Sequence, residues 1–367
     1  MTIVYCIFSL AKPHGMQRVL TVKANYLAEK AGHFVHIVTR GEGQPHFPLS
    51  PAIQVHSTGL DYKKALTELL HAIRPDITIS MYGEEAKFLY KINDGSKKIL
   101  EFHFTRNHLV HLVKGLPHVS FRMLRLQYVR LLQYMDEQCA HHYDCLVLLT
   151  EADRALWKYP ANAVVIPNPL SFSCPATSDQ QSKRILSVGR LIAAKGFDLL
   201  IEAFKPIAER YPEWKLTIIG DGQDKEFLQQ KIIDLDLDAQ AEILPPTPYI
   251  ACEMLESAIY ASASRYEGFG LVITEAMECG LPVVAFDCEC GPREIIRDGH
   301  DGILVEPLNT EKFSEALLQL IESRYERTQM GRQAKLSAKR FDEHKVMARW
   351  ETLFNSLTLL NSPVHVR

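Results

Sequence analysis

The chain has 367 residues, 47% of them hydrophobic and 23% charged, with a formal net charge of −3. That length suits two domains of about 170 residues each rather than one core, and the charge gives no basis for a nucleic-acid partner. No apolar run reaches the ~18 residues that cross a bilayer, and the opening "MTIVYCIFSL" lacks the basic flank of a signal peptide. The eight cysteines, without framework spacing, are expected as reduced thiols in the cytoplasm.

In chain order, "TIVYCIFS" reads as a strand, "AKPHGMQRV" as a loop and "MQRVLTVKANYLAEK" as a helix stopped at Ala31-Gly32. Gly15 stands at the loop-to-helix junction, where a glycine either serves the turn or lets backbone approach a phosphate. A full G-x-G-x-x-G is absent, against a standard dinucleotide fingerprint. Strands "FVHIVT", "IQVHS", "DITIS", "KKILEFHF", "DCLVLLT" and "AVVIP" follow, near-continuous in β-branched and aliphatic residues as buried parallel strands are. "CAHHYDC" offers Cys139, His141, His142 and Cys145 as zinc ligands, but it spans a helix end and a strand start, and no second knuckle follows. No metal is expected.

Residues 171–183, "SFSCPATSDQQSK", have no periodicity and read as a linker between a domain at 1–170 and one at 184–342. The βα rhythm resumes through "RILSVGR", "WKLTIIGDG", "AEIL", "AIYASAS", "PVVAFD" and "GILVEP", and two long helical stretches follow at about 310–340 and 343–361. Each half is therefore expected to be a doubly wound α/β sheet, with ligands in the crevice beyond the carboxyl ends of the strands.

The loops after strands carry the chemistry. "VGRLIAAKGF" projects Arg190 and Lys195, with Gly189 and Gly196 allowing the turns, and two cations there suit a diphosphate. "IIGDG" reads first as a tight turn and second as a part that shapes the same site. The D-x-D pairs of "DLDLDA" (Asp234, Asp236, Asp238) fall at a helix tail and read as a solvated end. In "SRYEGFGLVITEAMECG", Glu267 precedes the glycines and Glu275 lies in the helix that follows. Backbone N–H groups from Gly268 through Phe269 and Gly270 to Leu271 would face an anion, while an acid on either side would bind hydroxyls. A ligand anionic in the middle and hydroxylated at both ends is a nucleoside diphosphate sugar.

With these motifs the sequence resembles the retaining glycosyltransferases of family 4, whose E-x7-E element matches Glu267 to Glu275. "SVGRLIAAKGFDLLIEAF", "IIGDG", "SRYEGFGLVITEAMECGLPVVAFDCECGPREII", "DGHDGILVEP", "PHGMQRVL", "LLTEADRALW" and "VIPNPL" extend the match, strongly after residue 184 and more weakly before it. The resemblance implies the GT-B fold, two Rossmann-like domains facing each other across a cleft, with residues 343–367 crossing back to the first. It implies that Arg190 and Lys195 hold the donor diphosphate, Glu275 the ribose, and Gly189 and the backbone at 268–271 the rest of the donor site. Glu267 and His103, the latter in "LEFHF", would stand by the transferred sugar, and Gly15 would approach the diphosphate from the first domain.

The expected reaction moves a hexose or N-acetylhexosamine from a UDP-sugar to an acceptor hydroxyl with retention and without a metal or other cofactor. A covalent intermediate would need two carboxylates about 5 Å apart around the anomeric carbon. The E-x7-E pair instead brackets the donor, which favours same-face displacement with the diphosphate taking the acceptor's proton. The acceptor is expected to be a polyprenyl-diphosphate-linked saccharide in bacterial surface-polysaccharide assembly, such as lipopolysaccharide O-antigen. The alternatives are an isomerase like UDP-N-acetylglucosamine 2-epimerase and a sugar-nucleotide-binding protein without turnover.

From Arg106 to Met135 the chain has five basic residues and no acid. Helical spacing puts Phe121, Leu124, Tyr128, Leu131 and Met135 on one stripe. Arg122, Arg125 and Arg130 fall opposite, around a second apolar strip of Leu126 and Val129. Arginines around a second strip suit docking on an anionic membrane, so a cytoplasmic protein peripheral to the inner face of the plasma membrane is expected.

Overall fold

The computed structural model describes residues 1–114, 122–158 and 162–359. It divides into two compact units, one of residues 1–107, 122–158, 162–171 and 341–359, the other of 108–114 and 172–340. The first unit alternates β1 (Thr2–Ile7), α1 (Gly15–Glu29), β2 (Phe34–Thr39), β3 (Gln54–Ser57), α2 (Tyr62–Ile73), β4 (Ile77–Ser80) and β5 (Lys97–Glu101). After α3 (His108–Lys114), which packs with the second unit, come α4 (Arg122–Ala140), β6 (Cys145–Leu148), α5 (Glu151–Leu156) and β7 (Ala163–Val165). The strands form one parallel sheet in the order β3-β2-β1-β4-β5-β6-β7.

The second unit continues with β8 (Arg184–Val188), α6 (Phe197–Arg210), β9 (Lys215–Ile219), α7 (Lys225–Asp234), β10 (Ala241–Leu244), α8 (Ile250–Leu255) and β11 (Ile259–Ser262). Then come α9 (Leu271–Glu278), β12 (Val283–Phe286), α10 (Pro292–Ile295), β13 (Gly302–Val305), α11 (Thr310–Glu322) and α12 (Arg324–Ala338). Its sheet, also parallel, runs β10-β9-β8-β11-β12-β13. Both sheets are covered by helices on both faces, which is why strands such as "ITIS" and "VVAF" are buried at every position.

The helical stretch expected at 310–340 is two helices. Ser323 ends α11, and its Oγ accepts from Glu326 N, starting α12 with the Ser-x-x-Glu spacing of a capping box. The final helix, α13 (Glu343–Leu359), belongs to the first unit. Val346, Met347, Trp350, Leu353 and Phe354 fall on one face and enter the core beside Leu20, Ala24 and Leu27 of α1. A Lys30–Glu343 ion pair at 2.5 Å and a contact of His33 Nε2 with Glu351 at 2.9 Å flank that seam.

Residues 172–183 are tied to the second unit. Cys174 N donates to Glu278, Ser178 Oγ to Ser257 O and Gln180 Nε2 to Gly280 O. Missing periodicity there marks a change of unit, not an absence of contacts.

Candidate functional site

In the second unit the chain winds outward from β8 toward β9 on one side and from β11 toward β12 on the other. β8 and β11 are neighbours, paired at Ile185–Ile259 and Leu186–Tyr260. Loops leaving two such strands part to opposite faces, and the crevice between them is where open α/β sheets bind ligands. Residues 189–196 leave β8 and residues 263–270 leave β11, so the two loops singled out from sequence stand side by side.

Backbone packing holds the first loop. Gly189 N donates to Ile219 O and Leu191 N to Asp221 O. A Cβ on Gly220 would lie 1.9 Å from Gly189 O, and one on Gly222 2.3 Å from Leu191 O. The Gly-Asp-Gly turn is thus the backing of the Arg190 loop, which resolves its two sequence readings toward a supporting part. Gly196, at φ +62°, closes the loop, and a Cβ there would sit 1.9 Å from Ala263 O. Arg265 staples the two loops together: its N and Nη1 donate to Ala194 O and Ala193 O, and the guanidinium forks onto Asp198 with two 2.7 Å bonds. Burial pushes the Asp198 carboxyl up, but Arg265 outweighs it and holds it below the ordinary range.

Lys195 Nζ donates to Glu267 Oε1 at 2.6 Å, and Ser264 Oγ donates to the same oxygen at 2.7 Å. Two residues assigned from sequence to different parts of the donor are therefore ion-paired, both partly buried. Arg190 is exposed and near Tyr266, whose phenol burial raises and Arg190 draws back down. The helix α9 begins after Gly270 at φ +99°, with no side-chain cap and no acid in its first turn. Ile273 N donates to Gly270 O, and the N–H groups of Leu271 and Val272 ahead of it, with the helix dipole, are available to an anion. Glu275 is buried in the second turn of α9, and the buried Tyr260 phenol, raised first by burial, feels both Glu267 and Glu275. The loop after β12 seals this edge: Gly291 sits at φ +95°, and a Cβ there would lie 2.2 Å from Phe269 O.

Sequence reasoning passed over Ser264, Arg265 and His111. The His111 ring stacks on Tyr266 at 4.8 Å, and its Nε2 lies 2.9 Å from Glu289. Ser264 and Arg265 stand in the quoted motif and could have been read as its supports. His111 carries no sequence signal, because its partners are over 150 residues away.

In the first unit Gly15 opens α1, which also lacks a side-chain cap and a first-turn acid. His103 follows β5 by two residues, with Nε2 3.1 Å from Glu101 Oε1. Burial raises the Glu101 carboxyl, but Lys23 and then His103 outweigh it and hold it at about 2. Among the described residues no three His, Cys, Asp or Glu side chains form a metal-binding group. Cys139 Sγ donates to Ala86 O, His142 stacks on Tyr90, and Cys145 is buried in β6. Asp234 ends α7 and accepts from Gln230.

The faces of α4 are the reverse of those expected from its spacing. Leu124, Tyr128, Leu131 and Met135 are 62%, 61%, 54% and 54% exposed, while Val129 of the supposed outer strip is buried. The inner face is organised around a charge that apolar periodicity does not register. Arg106 is buried over the Trp157 ring at 4.5 Å, 3.0 Å from Glu137, and takes Gln133 Nε2 on its carbonyl. Val129, Gln133 and Glu137 thus face inward, and the apolar stripe faces out. Arg125 and Arg130 are exposed, whereas Phe121 and the Arg122 side chain lie outside the described residues. No helix among the described residues is long and apolar enough to cross a membrane.

The family described as "Glycosyl transferases group 1" matches residues 175–337. An uncharacterized glycosyltransferase of Haemophilus influenzae is 30% identical over 368 residues, covering 95% of this chain and 98% of that one. The amylovoran biosynthesis glycosyltransferase AmsD of Erwinia amylovora is 36% identical over 48% of this chain and 49% of its own. Among solved structures, S. aureus TarM in complex with Fondaparinux, alpha-GlcNAc-glycerol and UDP aligns with a TM-score of 0.79 at 15% identity, over 96% of this chain and 99% of that one. Anabaena HepE in complex with UDP and glucose aligns at 0.78 and 19% identity, over 96% and 98%. The fold shared with these structures is GT-B.

Proposed function

The chain belongs to the group 1 glycosyltransferases, and from that premise we propose that it transfers a hexose or N-acetylhexosamine from a UDP-sugar to a saccharide hydroxyl with retention and without a metal. One observation carries this reading: Arg190, the Lys195–Glu267 pair and the uncapped start of α9 meet on neighbouring loops at the switch point of one sheet. Arg190, Lys195 and the α9 N–H groups neutralise the diphosphate as the sugar–phosphate bond breaks, a charge-stabilising role that needs no divalent ion. When a donor enters, Lys195 is shared between the diphosphate and Glu267. Glu267, steadied by Ser264, accepts from hydroxyls of the transferred sugar, and Glu275 accepts from the ribose. The displaced diphosphate takes the acceptor's proton on the same face. For Gly15 and His103 the family resemblance is the support, the former for a role at the diphosphate and the latter for a role against the sugar.

UDP and sugars in the TarM and HepE structures support the donor class. AmsD, named for amylovoran biosynthesis, and a Campylobacter jejuni relative named for transfer to a diphospho-undecaprenol saccharide support a lipid-linked acceptor in polysaccharide assembly. The exposed apolar stripe of α4 between Arg125 and Arg130 supports docking on an anionic membrane that carries such an acceptor. The test is nucleotide release from a panel of UDP- and GDP-sugars with lipid-linked acceptors, with the product's anomeric configuration read by NMR. Release that depends on acceptor, gives retention and persists in EDTA is expected. Inversion, or loss in EDTA with restoration by a divalent ion, overturns the corresponding part.

A further inference from the structure

Below His103 the first unit buries a full positive charge. Lys23, in the middle of α1, is completely inaccessible, and its Nζ donates to both Glu101 oxygens at 2.6 and 2.5 Å. The same ammonium lies 4.2 Å from the Trp350 ring centroid and 5.4 Å from that of Tyr5. Each contact uses a different element: α1 gives Lys23, β5 ends in Glu101, α13 brings Trp350, and β1 brings Tyr5. Taking both charges out of water is costly, and apolar residues of similar volume commonly serve stability as well or better. A stable core alone does not call for this pair. The Glu101 carboxylate lies 3.1 Å from His103 Nε2, which has no other polar partner among the described residues.

We propose that Lys23 and Glu101 are positioning residues for His103, with Trp350 closing the assembly from the C-terminal helix. Lys23 keeps Glu101 an anion although both side chains are 1% exposed. That anion attracts Nε2–H and so favours the tautomer in which Nδ1 accepts a hydrogen bond from a sugar hydroxyl. Trp350 holds the ammonium by a cation–π contact and prevents it from swinging away. The inference rests on the reading that His103 touches the transferred sugar.

The test compares His103→Gln, the paired replacement Lys23→Met/Glu101→Leu, and their combination. Removing both charges together leaves no buried ion unpaired, and Lys23→Met/Glu101→Gln, which does the same with a larger residue at 101, provides a second variant should the first fail to fold. Turnover is measured by UDP release from whichever of UDP-glucose and UDP-N-acetylglucosamine the wild type uses, and UDP affinity by calorimetry. Long-range proton–nitrogen spectra of the imidazoles, assigned with His103→Gln, report the tautomer without any substrate. The expected result is an Nε2–H tautomer lost in both charge variants and kcat lowered about 10–100-fold, the size found for outer partners of metal-bound histidines. UDP affinity stays unchanged, and the combination is no worse than His103→Gln alone. An unchanged tautomer, or additive losses in the combination, overturns the positioning role. Unchanged turnover in His103→Gln instead overturns the reading of His103 itself.

Discussion

At the scale of single residues, Arg190 and Lys195 differ in a way their shared loop conceals. Lys195 already has a carboxylate at 2.6 Å, whereas Arg190 is exposed beside Tyr266. Arg190→Ala therefore removes a donor without disturbing a pair. A kcat lower by ~10²–10³, with circular dichroism unchanged, is expected, and a kcat near wild type would take Arg190 out of the mechanism. Asp153 gives a pH-dependent signature. Burial lifts its carboxyl to about 6, against the hydrogen bonds it accepts from Arg106 N and Trp157 Nε1. Its folded-state value lies above the unfolded one, so the folded chain holds this proton more tightly. The resulting stability is complete below pH ~3.9 and is lost as pH rises through about 6, an effect of roughly 2–3 kcal/mol. Asp153→Asn should thus gain stability over wild type by that order on going from pH 4 to pH 7 in denaturant titrations. Equal pH slopes in the two proteins would refute the assignment.

At the scale of elements, the strands were legible because parallel strands covered on both faces must be apolar at nearly every position, as in "TIVYCIFS" and "AIYASAS". The loops after β8 and β11 were legible as neighbours at the switch point because glycine and charge fall between a strand and a helix. What the sequence hid were partners distant in the chain and faces built on charge. The break at Ser323 was obscured because apolar residues recur across it, although its capping spacing was there to be read. The orientation of α4 was missed because buried Arg106, not an apolar stripe, fixes its inner face. The corrected orientation changes the membrane experiment, since aliphatic and aromatic side chains now stand outward with the arginines. Sedimentation with anionic vesicles should be weakened by Arg125→Glu/Arg130→Glu in a salt-dependent way, each charge contributing about 1 kcal/mol. Leu124→Ser/Leu131→Ser should weaken it at all salt concentrations. Binding that neither variant changes would remove α4 from the surface.

At the scale of the molecule, the two cores are chemically separate, and α13 belongs to the first although it follows the whole of the second. Phe354→Ala removes a fully buried ring from the first core and should cost about 3–5 kcal/mol there. Followed by calorimetry, the transition of the first unit should move down in temperature. The second unit, whose core shares no residue with that one, should not follow it. A common shift of both transitions would show that the units unfold as one.

The placement of α13 also sets an order on biogenesis. The second unit is built almost wholly from residues 172–340, so its core can close once that stretch has left the ribosome. The first unit, although synthesised earlier, lacks Trp350 and Phe354 until α13 has been made, and Lys23 lacks the Trp350 ring until then. The half made first is thus the half finished last. A nascent chain stalled before residue 343 would carry a mature second unit behind an open, apolar seam along α1, which chaperones and proteases are suited to recognise.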